Sequence, residues 1–174
     1  EIAKRITSDG AVQGFEAELN EDWVRAFARS AAIELQPMAT FMGGVLAQEV
    51  VKTTGKFTPI PGLLYFNALE ALPVELPTDV TPENGRYDDL IEVYGKAFVE
   101  KLGSLKYFMV GCGALGCEFL KNFALNGVCC GPSASLVVTD ADRIELSNLT
   151  RQFLFREHNV GQPKSVAATE MARQ

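Results

Sequence analysis

The sequence predicts an α/β fold, with helices dominating its first part and parallel strands its second. Three observations predict it. Residues 105–110, Leu-Lys-Tyr-Phe-Met-Val, read as a strand that runs directly into Gly111-Cys112-Gly113-Ala114-Leu115-Gly116. Beyond those glycines, Leu115, Phe119, Leu120 and Phe123 recur at helical spacing. A second short apolar run, residues 136–139, stops at Asp140. Strand, G-x-G-x-x-G turn, helix and a second strand ending in an acid are the start of a Rossmann-like unit.

In chain order, residues 20–35 read as a helix. Asn20 is a fitting N-cap, Glu21 and Asp22 suit the first turn, and Trp23, Phe27 and Ala31 recur every four residues. Pro37 fits the first turn of a second helix reaching about Lys52, with Met38, Phe41, Met42, Val45 and Leu46 as its apolar face. Both are expected as core helices, and Gly43-Gly44 implies a close backbone neighbour for the second. Residues 63–66 read as a short buried strand. Pro73, Pro77, Pro82 and Gly85 mark a linker. Leu90, Tyr94, Phe98 and Leu102 then predict a third helix, ended by Gly103.

The chain has 174 residues, 47% hydrophobic and 22% charged, values of a globular protein with a real core. Its formal charge of −6 and pI of about 4.9 argue against a nucleic-acid binder. The charge is uneven: residues 1–103 carry 9 basic and 16 acidic side chains, residues 104–174 carry 7 and 6. The second part can therefore take an anion without opposing its own field. Cys112, Cys117, Cys129 and Cys130 form no C-x-x-C pair and His158 lies apart, so a zinc site is not expected. They read as reduced thiols of an intracellular protein. There is no leading signal peptide and no apolar run of 18 residues, so no membrane role is expected. The ends do not look like domain ends, which suggests an internal fragment.

The glycine loop sets backbone N–H groups and a helix N-terminus against a phosphate, and Asp140 can accept from ribose hydroxyls. The polar run from Asp140 to Phe153, with Lys164 beyond it, separates a triphosphate from a dinucleotide. Arg151 and Lys164 are candidate cations for a phosphate under attack, and Asp142 is a candidate magnesium ligand. Each has a plainer reading, a solvated cation or a turn cap.

The run Val137-Val138-Thr139-Asp140 through Ser147-Asn148-Leu149-Thr150-Arg151-Gln152-Phe153-Leu154-Phe155-Arg156, followed by Val160-Gly161-Gln162-Pro163-Lys164-Ser165, resembles the adenylation signature of ubiquitin-activating enzymes. Gly111 to Gly116 and Glu118 to Ala124 resemble the same family's first loop and helix. Phe41 to Lys52, Gly55 to Ile60 and Leu64 to Pro73 resemble the end of its inactive adenylation half. The resemblance covers roughly residues 20–174. It implies that residues 1–76 end an inactive adenylation domain, 77–87 link, and 88–174 begin the active, Rossmann-like adenylation domain, as in the single-chain enzymes.

The resemblance further implies that Asp140 holds the ATP ribose. Gly111, Gly113, Ala114 and Gly116 would lie against the nucleotide, and Asp142 would help hold Mg2+. Asn148, Arg151 and Lys164 would approach the phosphates with Gln152 beside them, Arg151 and Lys164 as the catalytic cations. The implied partners are ubiquitin and, through regions beyond these residues, a ubiquitin-conjugating enzyme, in cytoplasm and nucleus. The thioester cysteine is expected outside the chain, and the chain alone is expected to be inactive. Three other readings stand beside this one. They are a NAD-dependent oxidoreductase, an activating enzyme for another ubiquitin-like protein, and a pseudo-adenylation module that binds without turnover.

Overall fold

The computed structural model describes residues 21–66 and 68–173. The expected N-cap Asn20, with the rest of residues 1–20, lies outside them. The chain divides into two compact units, residues 1–33 and 34–174. In the first, helix α1 spans Glu21–Ser30. It is shorter than the 20–35 expected: Ala31 falls in a turn and Phe27 is exposed.

In the second unit, α2 spans Gln36–Lys52, with Pro37 in its first turn as expected. Its expected core role is not found. None of its residues is buried, and Phe41, Met42 and Leu46 are exposed. A Cβ on Gly43 or Gly44 would meet nothing within 4 Å, so the glycine pair marks no close approach. Residues 63–66 form no strand. They run as exposed coil beside α2, where Phe66 stacks on Phe41 at 4.1 Å between centroids. An apolar run alone does not make a strand without a partner edge to bond.

The single helix expected across residues 90–102 is two, α3 (Asp88–Tyr94) and α4 (Lys96–Ser104). Gly95 breaks it, at φ +82°, a conformation that favours glycine. A Cβ there would lie 2.7 Å from that of Pro77, and the Lys96 N–H donates to the Asp79 carbonyl at 3.0 Å. The apolar stripe survives the break, with the Tyr94 and Phe98 rings 5.0 Å apart. Helix α4 also runs one residue past Gly103.

The second part follows the expected order. Strand β1 (Lys106–Val110) pairs in parallel with β2 (Ser135–Thr139), from Lys106 opposite Ser135 to Val110 opposite Thr139. Helix α5 (Ala114–Leu125) makes the crossover between them. The loop from 129 to 135, opaque in sequence, has a structural task. The Cys129, Gly131 and Ser135 N–H groups donate to the carbonyls of Leu102, Gly103 and Leu105, tying the loop to the end of α4 and the residue after it.

One face of the two-stranded sheet carries Met109, Leu136 and Val138 into the core. The other presents Phe108, Val110 and Val137, all exposed. The core joins Cys112, Cys117 and Leu120 to Ile144, Leu154 and Phe155, and to Ala167 and Ala168 of helix α6 (Lys164–Ala172). Between β2 and α6 the chain makes two short 3-10 turns, Leu146–Thr150 and Glu157–Asn159. This packing brings the residues after β2 back beside the glycine loop. Among the described residues no helix is long and apolar enough to cross a membrane.

Candidate functional site

The site begins where the strands end. The Gly111 N–H donates to the Thr139 carbonyl at 2.7 Å, carrying the ladder one step past β1. Gly113 is the N-cap of α5 and has no side chain to accept from the first-turn N–H groups. Those N–H groups, with the helix dipole behind them, are donors suited to an anion. Gly116 lies so close under Gly111 that a Cβ would stand 2.3 Å from the Gly111 carbonyl oxygen.

Asp140, at the end of β2, ties this loop to its own turn. Its Oδ2 accepts from the Cys112 N–H at 2.6 Å and its Oδ1 from the Asp142 N–H at 2.8 Å. The chain beyond is stitched to the residues before α6. Ile144 N–H donates to the Gln162 carbonyl at 2.9 Å, Gly161 N–H to the Ile144 carbonyl at 2.8 Å, and Arg143 bridges Pro163 in antiparallel sense. Lys164 N–H donates to the Asp142 carbonyl at 3.0 Å. Two residues far apart in sequence thereby meet: Lys164 Nζ stands 2.7 Å from Asp142 Oδ2. The Lys164 side chain is only 8% exposed and that of Asp142 is 70% exposed.

The structure thus joins the glycine loop, Asp140, Asp142 and Lys164 in one bonded series. Ala114 is the first residue of α5, directly after Gly113 of that loop. Asn148, Arg151 and Gln152 stand apart from it: among the described residues no hydrogen bond joins them to the glycine loop. Asn148 is buried, and its Oδ1 accepts from the Glu145 N–H at 3.0 Å while its own N–H donates to the Glu145 carbonyl at 3.0 Å. Arg151 is exposed, with Nη1 donating to the Ser147 carbonyl at 3.1 Å. Gln152 is 3% exposed, and its Oε1 is buried without a hydrogen-bond partner among the described residues. The segment still rests against α5, with Lys121 Nζ 5.2 Å from the Phe153 ring centre.

Two features escaped sequence reading. The Cys112 N–H bond to Asp140 is carried by backbone and has no side-chain signal. The Glu145–Asn148 reciprocity did have one, the three-residue spacing of a capping box. Two cavities of about 710 and 410 Å³ lie along α2 and residues 57–66, lined by Gln48, Lys52, Phe57 and Ile60 among others, and not at the glycine loop.

The cysteines differ in environment. Burial, with the Asp140 charge adding to it, pushes the Cys112 thiol up to about 11, and burial also raises Cys117 and Cys129. Cys130 is exposed. At pH 8 a thiol reagent is therefore expected to modify Cys130 first and Cys112 only on unfolding, as peptide mapping after timed alkylation would read. The raised thiols also set a sign for stability. Between the ordinary thiol value and about 11 the unfolded chain has lost protons that Cys112 keeps when folded, so stability falls as pH rises through that window.

A model of the ThiF family matches residues 87–174. Ubiquitin-activating enzyme E1 2 of Triticum aestivum is 50% identical over 158 residues, 89% of this chain and 15% of that protein. Ubiquitin-like modifier-activating enzyme 1 of Homo sapiens is 49% identical over 163 residues, 90% of this chain and 15% of that protein. Among solved structures, E. coli MccB with ATP has a TM-score of 0.46 at 30% identity, covering 56% of this chain and 29% of that one. The chain spans about 15% of the length of the curated relatives it matches.

Proposed function

Because the chain belongs to the ThiF family, we propose that it supplies the nucleotide-binding start of the adenylation site in a ubiquitin-activating enzyme. The observation that carries this is the bonded series from the glycine loop through Asp140 and Asp142 to Lys164. An oxidoreductase using a dinucleotide has no use for a buried ammonium at that place. A triphosphate has one, since negative charge gathers on the phosphate oxygens during attack.

In this reading a carboxylate oxygen of the ubiquitin C-terminus attacks the α-phosphorus of ATP. The bond to pyrophosphate breaks, and an acyl-adenylate forms. The N–H groups of Gly113 and the first turn of α5 hold phosphate oxygens, Asp140 accepts from the ribose, and Lys164 and Arg151 offset developing charge. Little proton transfer is needed, so positioning and cations carry the step. The Asp142 carboxylate, 70% exposed, fits Mg2+, an ion commonly bound through one or two carboxylates with phosphate oxygens and water around it. It would neutralise phosphate charge there.

We place the later thioester on a cysteine outside these residues. Cys112, Cys117 and Cys129 are held as thiols by burial. Cys130 precedes β2, at the opposite end of that strand from Asp140. The test is ATP–pyrophosphate exchange by the full-length protein with and without ubiquitin. Exchange that needs ubiquitin is the expected result. Exchange that needs a different ubiquitin-like protein would change the substrate, and no exchange by folded protein with any of them would remove the adenylation reading.

A further inference from the structure

We propose that the Lys164–Asp142 ion pair couples divalent-cation binding to nucleotide binding, each partner masking the other's ligand site until both ligands are present. This rests on the nucleotide reading above and adds a device to it.

The two partners of the pair are unequally buried. Lys164 is 8% exposed at its side chain, and Asp142 Oδ2 at 2.7 Å is its hydrogen-bond partner. Among the described residues Nζ has no second one. An ammonium buried that far cannot give up its carboxylate without a replacement, because an unpaired buried charge is strongly unfavourable. Asp142 is 70% exposed and can turn to water instead.

A divalent cation arriving alone at Asp142 must compete with an ammonium already seated there. If it succeeds, it strands that ammonium. A nucleotide arriving alone must draw the ammonium from Asp142, leaving an exposed carboxylate beside its phosphates. When both arrive, partners are exchanged: carboxylate to cation, ammonium to phosphate. No charge is then left unpaired, so the two bindings reinforce each other.

The backbone keeps the pair from opening in any other way. The Lys164 N–H bond to the Asp142 carbonyl, the Arg143–Pro163 bridge and the two bonds of Ile144 to Gln162 and Gly161 hold the two chain segments together. Exchange must therefore occur by movement of the two side chains, Lys164 and Asp142. The inequality also gives an order of size. Masking of the cation by Lys164 exceeds masking of the nucleotide by Asp142, since only the first strands a buried charge.

The experiment uses the full-length protein, with Mn2+ as the cation probe read by electron paramagnetic resonance and labelled ATP in EDTA read by equilibrium dialysis. Lys164→Met is expected to tighten Mn2+ binding without nucleotide by at least about fivefold, a typical size for coupling between sites. The gain should vanish in the Lys164→Met, Asp142→Asn double variant. Asp142→Asn alone, which leaves Lys164 an amide oxygen in place of the carboxylate, is expected to tighten ATP binding in EDTA by a smaller factor. A merely structural role for Lys164 would loosen binding and never tighten it. Lys164→Gln repeats the first arm should the methionine variant not fold. Unchanged Mn2+ affinity in the folded Lys164 variants, with wild type still binding Mn2+ and ATP together, would overturn the coupling and leave the nucleotide reading intact. Wild type that binds no ATP with or without Mn2+ would remove both.

Discussion

Gly116→Ala is expected to cost the adenylation domain about 3 kcal/mol or more and to remove nucleotide binding with it. The new Cβ would stand 2.3 Å from the Gly111 carbonyl oxygen and 3.1 Å from its carbon. Both are backbone atoms, so no rotamer change relieves the clash. Either α5 moves off the sheet or the glycine loop leaves its bond to Thr139. The first opens the core at Cys117 and Leu120, and the second displaces the N–H groups proposed to hold phosphate. Gly113→Ala is the control for stability: a Cβ there meets nothing within 4 Å. Thermal melting of the full-length proteins separates them, with a lowered domain transition for the first and little change for the second. Equal transitions would mean that the loop yields more easily than its contacts indicate.

Asp140→Ala is expected to lower ATP–pyrophosphate exchange by more than about 100-fold while the fold survives. The carboxylate accepts two backbone N–H groups, Cys112 at 2.6 Å and Asp142 at 2.8 Å. Hydrogen bonds to a charged acceptor are worth about 1.5–3 kcal/mol each, and Cys112 is buried, so its N–H has no water to turn to. The loss therefore reaches both sides of the site, before any contact with ribose is counted. Asp140→Asn keeps one acceptor oxygen and should fall between wild type and alanine. An alanine variant with near-normal exchange would show that neither loop nor ribose depends on this residue.

The parts of the fold that could be read from sequence are those whose signals are local. Strand, glycine turn, helix and strand from Lys106 to Thr139 each announce themselves within a few residues, and the motif fixes their order. The break at Gly95 did not, because Leu90, Tyr94, Phe98 and Leu102 keep a four-residue spacing across it. The stripe is real, as the Tyr94–Phe98 contact confirms, but the backbone beneath it is held by Pro77 and Asp79, which no periodicity reveals. Residues 63–66 carried strand-like composition without a neighbouring edge. The apolar residues of α2 implied a buried helix, yet Leu46 and Val50 are exposed.

In the site, Asp140, Asp142 and Lys164 were legible as residue types with suitable chemistry. That Lys164 lies on Asp142 was not, since it depends on the Ile144, Gly161 and Gln162 backbone bonds that bring the two segments together. Gln152 was placed beside the phosphates by resemblance. Its buried Oε1, without a hydrogen-bond partner among the described residues, adds a physical peculiarity that the sequence does not carry.

The glycine loop has a consequence for how fast a ligand is captured. Glycine enters folding with the largest backbone freedom of any residue. Here that freedom is already gone: Gly111 is bonded to Thr139, Cys112 to Asp140, and Gly116 is pressed beneath Gly111. The ordering entropy is charged to folding, so docking need not include a slow rearrangement of this segment. Association should then follow the encounter frequency, with single-phase kinetics linear in ligand concentration, and the amides of Gly111 and Cys112 should resist hydrogen exchange in the unliganded protein.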